Sequence, residues 1–216
     1  MTTETAAPSS NAARLVFYIG AALALSHLAN EWIRLAQPWG PVWKCAGIVV
    51  LGLYALMSGA RLAALGLFFS AAGDVLLELD GLFVGGMAAF GLAHVCYTAA
   101  FIGIIRRDGL NKNAWPLAAL ALVVSIALGV WLAPGMAGLT APALAYQTII
   151  SAMVVSAMLS KAPLIARVGA VIFMLSDTLI AVGMFRGVDV VPGAVWITYA
   201  AAQTMLAWGF VKARSA

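Results

Sequence analysis

The chain has 216 residues, of which 64% are apolar and only 9% are charged. A soluble protein of this length would carry about 54 charged residues, a quarter of its length, whereas this chain has 12 basic and 8 acidic ones. With a mean hydropathy of +1.02, the composition excludes a water-soluble domain and indicates an integral membrane protein. The net charge of +4 does not indicate nucleic-acid binding, because the basic residues are scattered between apolar segments.

The apolar segments are continuous runs near twenty residues in length, without the alternation of barrel strands, so they predict an all-α bundle. In chain order we expect a disordered tail over 1–13, with Pro8, Ser9 and Ser10, and then one transmembrane domain over 14–212. Eight spans are predicted, at 15–35, 42–58, 62–79, 82–105, 114–132, 143–160, 164–185 and 191–211. The tight turns at 59–61 and at 80–81 are the weakest points of this assignment, and failure of either hairpin to span would reduce the count to six.

The orientation follows from the basic residues near the span ends. Only Arg34, Lys44 and Arg186 lie on one side. The other side, which includes both termini, has Arg14, Arg61, Arg106, Arg107, Lys112, Lys161, Arg167, Lys212 and Arg214. Because loops rich in Lys and Arg stay in the cytoplasm, both termini are predicted to be cytoplasmic. We expect a multi-pass protein of a bacterial cytoplasmic membrane, and its oligomeric state stays open.

Two acidic residues lie deep inside predicted spans. A central Asp facing lipid costs about 2.5–3.5 kcal/mol on insertion scales, so such residues face the protein interior and are candidates for function. Asp74 in the third span and Asp177 in the seventh lie in one depth band, toward the outer side. We expect them to form one site; the alternative is that each carboxylate separately holds helices together.

Further polar side chains lie around this depth band, and we take them as supporting or substrate-binding candidates. Ser70 and Glu78 share a helix face with Asp74, because they lie four residues before and after it. The others are Lys44, His94, Tyr97, Tyr146, Ser176, Tyr199 and Gln203. Simpler interpretations exist: Lys44 is close enough to an interface to extend to water, and the seven tryptophans, Trp196 among them, lie near span ends as in an aromatic belt. A polar stripe of His27, Asn30 and Glu31 has no assigned role.

The spacing also suggests an internal repeat. Tyr97 follows Asp74 by 23 residues and Tyr199 follows Asp177 by 22, in each case on the next helix. Two halves of four helices each would be parallel repeats, related by an axis along the membrane normal. Chance spacing is the alternative.

Three segments together resemble the YhhN family of multi-pass membrane proteins, which includes the lysoplasmalogenases. They are FSAAGD at 69–74, FGLAHVCY at 90–97 and FMLSD at 173–177, and Phe101, Gly169, Tyr199 and Gln203 also fit. The likeness covers about Lys44 to Gln203, nearly all of the chain except the first helix. Cys45 departs from the pattern, because the family often has Pro after this Lys.

The resemblance implies hydrolysis of the vinyl-ether bond of a lysoplasmalogen, which gives a fatty aldehyde and a glycerophospho-alcohol. Vinyl ethers hydrolyse through protonation at carbon, which needs a carboxylic acid, and a second carboxylate can stabilise the cation and activate water. We assign Asp177 as the acid and Asp74 as the base, oriented by His94, Tyr97 and Tyr199. The outer-side bases, Lys44, Arg34 or Arg186, would hold the lipid phosphate.

The reaction needs no cofactor, and we expect none. A zinc site made from His27, His94, Asp74 and Asp177 is the metal alternative, but two histidines in the whole chain exclude a three-His site, and no H-x-x-x-H spacing occurs. A proton-coupled transporter of a small molecule or lipid is the main alternative function, because paired intramembrane acids also relay protons. A non-catalytic lipid-binding protein is the third.

Overall fold

The structure, a computed structural model, describes residues 10–215, with side chains from 11 to 214. This range forms long α-helices and contains no β-strand, which confirms the predicted all-α class. The eight long helices are α1 Ser10–Ser26, α2 Trp39–Met57, α3 Arg61–Leu77, α4 Phe83–Asp108, α5 Trp115–Leu132, α6 Thr140–Leu159, α7 Leu164–Arg186 and α8 Ala194–Ser215. After α1, the chain continues through a 3₁₀ turn, His27–Ala29, and a short helix, Asn30–Ile33.

Seven stretches within the described range are long and apolar enough to cross a membrane, and the chain is an integral membrane protein. The remaining predicted span is α3, which has 17 residues. Its length is about 26 Å at 1.5 Å per residue, near the lower limit for a transmembrane helix. Helix α3 ends at Leu77, two residues before the predicted end, because the chain turns at Asp80 and at Gly81, whose φ is 76°. The count of eight crossings stays a prediction.

The two ends of the chain differ from the predicted boundaries. Helix α1 begins at Ser10, so positions 10–13 of the predicted tail are helical, and positions 1–9 lie outside the described residues. Helix α8 begins at Ala194, three residues later than predicted. Pro192 and Gly193 form a turn there, in which the Ala194 N–H donates to the carbonyl of Val191 at 3.0 Å, and Gly193 has a φ of 75°.

The helices pack largely in chain order. Helices α1 to α4 contact one another in succession, α7 pairs with α8, and α8 lies against α1, α2 and α3. Helix α4 packs on α6, so α5 sits at the periphery and contacts mainly α6. Side chains on α5 such as Val123 and Val130 are 62% and 72% exposed, as expected for a lipid-facing helix. The α3–α4 and α7–α8 pairs have the most extensive contacts, but the repeat of two halves stays a prediction.

Small residues let the central helices approach closely. A Cβ built on Gly73 of α3 would lie 2.6 Å from the ring of Phe90 on α4. Phe90 in turn packs edge-on against Phe173 of α7, with ring centroids 6.2 Å apart. Phe173 is fully buried and also contacts the rings of His94 and Tyr199. This aromatic cluster fixes the relative positions of the helices that carry the polar candidates.

Candidate active site

A cavity of about 520 Å³ opens at the end of the bundle opposite Ser10 and Ser215. Its lining comes from the ends of α1, α3, α5 and α7 and the beginnings of α2, α4, α6 and α8, which all lie at this end. Asp74 and Asp177, from α3 and α7, both line it. The structure therefore brings the two predicted catalytic candidates to one cavity.

Asp74 is held by a side chain from α8. Its carboxyl is buried, and its Oδ2 accepts a hydrogen bond from the Tyr199 hydroxyl at 2.7 Å. The Tyr199 ring is packed edge-on against Phe173 and Phe90, with centroids 5.4 and 5.8 Å away. Because these rings restrict its rotation, Tyr199 presents its hydroxyl to Asp74 in a defined direction.

Asp177 is held by a chain of two side chains from α6 and α4. The Tyr146 hydroxyl donates to Asp177 Oδ2 at 2.5 Å, and His94 Nε2 lies 2.8 Å from the Tyr146 oxygen and 3.4 Å from Asp177 Oδ2. A hydroxyl has one proton to donate. Since Tyr146 gives it to Asp177, its oxygen must accept from His94, which assigns the hydrogen to Nε2 by the network.

The mouth of the cavity contains an ion pair. Lys44 Nζ on α2 lies 2.5 Å from Glu78 Oε1 just past α3, and the two side chains are 20% and 39% exposed. Both residues line the cavity, and the Lys44 ammonium lies 5.9 Å from the ring centroid of Trp196. Lys44 therefore contacts protein groups at the mouth.

Ser176 also lines the cavity, but its hydroxyl donates to the carbonyl of Val195 at 2.9 Å and ties α7 to α8.

The other supporting candidates lie outside the cavity lining. Tyr97 donates to Gln203 Oε1 at 2.7 Å between α4 and α8, with both side chains fully buried. Ser70 is also fully buried, one turn from Asp74. His94 reaches the site only through Tyr146 and Asp177. These residues form a polar layer that supports the cavity from within the bundle.

The structure corrects the interpretation of Trp196 as a residue of an aromatic belt. Trp196 is 7% exposed, lines the cavity and donates from Nε1 to the carbonyl of Ala24 at 2.8 Å. Its ring lies 4.5 Å from that of His27, because α1 covers this end of α8. The tryptophans that are exposed, as a belt requires, are Trp32, Trp39, Trp115 and Trp131.

Five polar residues line the cavity that were not among the site candidates, one of which, Thr178, donates to the carbonyl of Met174 within its own helix. Three are the stripe of His27, Asn30 and Glu31, which the sequence showed without giving it a role. The last is Gln147, whose amide donates to the backbone carbonyl of Ser125 on α5. A glutamine inside an apolar span was the available signal. Within residues 10–215 no group of three or more His, Cys, Asp or Glu side chains is placed to hold a metal ion.

Residues 39–210, from the start of α2 almost to the end of α8, match the family model described as the YhhN family. The chain belongs to the YhhN family. This confirms the resemblance seen in the motifs, and α1 lies outside the matched region, as expected.

Three relatives align with this YhhN protein over two thirds of its length or more. Two, from Mycobacterium bovis and Mycobacterium tuberculosis, are each named lysoplasmalogenase and are 36% identical to it over 155 residues, covering 68% of this chain and 59% of theirs. The match thus spans less than two thirds of the mycobacterial proteins. Lysoplasmalogenase TMEM86A from Bos taurus is 30% identical over 207 residues, 85% of this chain and 83% of its own. No solved structure matches the chain.

Proposed function

We propose that this protein is a membrane hydrolase that cleaves the vinyl-ether bond of a lysoplasmalogen. The observation that carries the proposal is that Asp74 and Asp177 line one cavity and that each accepts a hydrogen bond from a tyrosine. The mycobacterial and bovine relatives, which are named lysoplasmalogenases, support it. The volume of about 520 Å³ is in the range of ligand cavities.

The proposed reaction consumes one water molecule. A carboxylic acid donates its proton to the vinyl carbon that is not bonded to the ether oxygen. The other vinyl carbon and the ether oxygen then share the positive charge as an oxocarbenium ion. A carboxylate stabilises the cation and accepts a proton from water as the water oxygen attacks the carbon bonded to the ether oxygen. The resulting hemiacetal breaks into a fatty aldehyde and the free hydroxyl of a glycerophospho-alcohol. The proton taken from water restores the acid.

The contacts favour the reverse of the roles expected from the sequence. Asp177 Oδ2 accepts from Tyr146 and faces the His94 ring, and both contacts stabilise a carboxylate. We therefore assign Asp177 as the base and Asp74 as the acid. Since Tyr199 donates to Oδ2 of Asp74, the acidic proton would reside on its Oδ1.

The two ends of the cavity suit the two ends of a lysolipid. Lys44 at the mouth would donate a hydrogen bond to the phosphate, and its ion pair with Glu78 would weaken as a result. The opposite wall is apolar and suits an alkenyl chain; it consists of Met87, Leu128, Leu132, Met136, Ile180, Met184 and Phe185. The vinyl-ether bond would then lie between these parts, where the two aspartates are.

The proposal includes eight crossings and cytoplasmic termini in a bacterial cytoplasmic membrane. An even number of crossings agrees with the placement of Ser10 and Ser215 at one end of the bundle. The cavity would then face the outer side, as expected for both aspartates, and α3 would be the shortest crossing helix. Reporter fusions at the α2–α3 and α3–α4 turns test this: reporters on the same side would contradict a membrane-crossing α3.

The direct test of the function is aldehyde release from a lysoplasmalogen by the purified protein. Asp74→Asn and Asp177→Asn should each lower the rate by about 10²–10⁴-fold, as for loss of a general acid or base. Asp80→Asn, an exposed acid at the same end of the bundle that does not line the cavity, is the matched control and should leave the rate unchanged. Activity that survives both changes would exclude the Asp/Asp mechanism.

The same variants separate the roles of the two acids. Formate or azide can replace a missing base but cannot replace a buried proton donor. Activity of Asp177→Asn should therefore increase with added formate, and that of Asp74→Asn should not. Rescue of Asp74→Asn alone would restore the original assignment. The transporter alternative is not favoured by the named relatives, and uptake into proteoliposomes without aldehyde would support it instead.

A further inference from the structure

A second cavity, of about 510 Å³, lies at the end of the bundle opposite the candidate active site. It is formed by the beginning of α3 and the last turns of α4 and α8. Three arginines from these helices line it: Arg61, Arg107 and Arg214. Its lining also includes five apolar side chains that are almost fully buried, namely Ala60, Ala63, Ile104, Phe210 and Ala213.

The charge of this cavity is not neutralised by the described residues. Arg107 pairs with Asp108 through Nε and Nη2 at 2.7 and 2.8 Å, and its Nη2 also donates to the carbonyl of Ala213 at 2.8 Å. Across residues 10–215, Arg61 and Arg214 take part in no ion pair. Two guanidinium groups thus remain available beside a third that the protein holds in place.

The backbone is arranged to make room for these groups. Gly59, in the turn before α3, has a φ of 77°, and a Cβ on it would lie 3.2 Å from Arg214 Nη2. The left-handed conformation and the missing side chain together let the guanidinium lie over the turn. Helix α3 begins at Arg61, so the positive end of its dipole adds to the same wall.

We propose that this cavity binds a phosphate ester, held by Arg61, Arg107 and Arg214. Arg61 and Arg214 can each match phosphate through two parallel N–H···O bonds, and Arg107, whose Nε and Nη2 donate to Asp108 and Ala213, has Nη1 left to donate. Basic residues that only set the orientation in the membrane would not need to converge on a cavity with an apolar wall. The phosphate would connect the ends of α3, α4 and α8, the helices that carry Asp74, His94 and Tyr199.

The test measures the thermal stability of the full chain with two phosphate sources. One is inorganic phosphate, added to the protein in neutral phosphatidylcholine nanodiscs at constant ionic strength. The other is phosphatidylglycerol, mixed into the same nanodiscs in increasing amounts. Stabilisation by phosphate identifies a soluble ligand, and stabilisation by phosphatidylglycerol alone identifies a lipid head group; either supports the site. Stabilisation by neither would overturn it.

Two double variants of equal net charge separate a built site from general attraction. Arg61→Gln with Arg214→Gln removes the two unpaired arginines, while Arg106→Gln with Lys212→Gln removes two exposed bases outside the cavity at the same end. Loss of charge-assisted hydrogen bonds should weaken binding about tenfold or more in the first, and the second should stay within about twofold of the unchanged protein. Equal weakening in both would overturn the proposal. Circular dichroism and the melting temperature of each variant without added phosphate or phosphatidylglycerol check that each is folded.

Discussion

Tyr199 on α8 donates a hydrogen bond to Asp74 on α3 at 2.7 Å, although 125 residues separate them in the chain. This bond ties the last helix to the third at the wall of the cavity. Its acceptor is one of the two carboxyls of the proposed mechanism, in which the Tyr199 hydroxyl would set the direction in which Asp74 faces the substrate. The consequences of removing it can be measured directly.

Tyr199→Phe should lower kcat/KM for aldehyde release about tenfold, because one hydrogen bond to Asp74 is lost and the carboxyl can rotate. The ring remains in place between Phe173 and Phe90, so the fold is kept. Tyr18→Phe is the matched control, since Tyr18 is 61% exposed on α1. An unchanged rate for Tyr199→Phe would show that this bond does not orient a reacting group.

Tyr146 and His94 should act as one unit toward Asp177, because the Tyr146 hydroxyl contacts both. In a double-mutant cycle with Tyr146→Phe and His94→Gln, kcat/KM should show a coupling of about 0.5–3 kcal/mol. Once the hydroxyl is gone, loss of the imidazole should matter less. The same cycle run with Tyr18→Phe in place of His94→Gln should be additive. Full additivity of the first pair would contradict the contact chain.

The Tyr97–Gln203 pair should matter for stability more than for catalysis. It lies outside the cavity lining and joins α4 to α8 through one buried hydrogen bond. Tyr97→Phe should reduce stability by about 0.6 kcal/mol and by no more than about 1.7 kcal/mol, the mean and the maximum found for such bonds between membrane helices. Thermal unfolding and aldehyde release measured together check this. A fall in rate equal to that of Tyr199→Phe, without loss of stability, would assign Tyr97 to the site.

Two glycines near the α3–α4 turn should respond in opposite ways to a methyl group. In Gly73→Ala the new Cβ would meet the Phe90 ring, and overpacking of this kind costs about 1–3 kcal/mol. Phe90 packs against Tyr199, so activity should fall as well. In Gly85→Ala the Cβ meets no atom within 4 Å, so stability should be unchanged or slightly higher. Equal melting temperatures for the two variants would contradict the packing.

The helices were predictable because short turns with Gly, Pro or Asp separate long apolar runs. Helices α2 and α6 begin three residues earlier than predicted, at Trp39 and Thr140, because residues expected in the turns are helical. Two other boundaries differ because a turn continues a run of apolar residues. At the start of α8, Val191 belongs to the turn although it is apolar. At the end of α3, the last two residues of the predicted span belong to the turn. The helix therefore has 17 residues, near the minimum length for crossing a membrane. Hydropathy alone does not separate a helical Leu from a Leu in the next turn.

Only the polar residues inside apolar spans could be predicted as site candidates from the sequence. Asp74, Asp177, Tyr146 and Lys44 stand out because a charge or hydroxyl in an apolar run needs an interior partner. The partners themselves depend on helix neighbours, which the sequence does not give. Tyr199 illustrates this, because its spacing from Asp177 suggested only a repeat, whereas its hydroxyl donates to Asp74 on α3.

Trp196 gives this cavity an optical signal of its own. Its indole is part of the wall, close to the His27 ring and to the Lys44 ammonium, while most of the other tryptophans are exposed on the surface of the bundle. In a variant that keeps Trp196 and has phenylalanine at the other tryptophan positions, the emission would come from the cavity wall alone. The arrival of a lipid there would then appear as a change in fluorescence, without any chemical turnover.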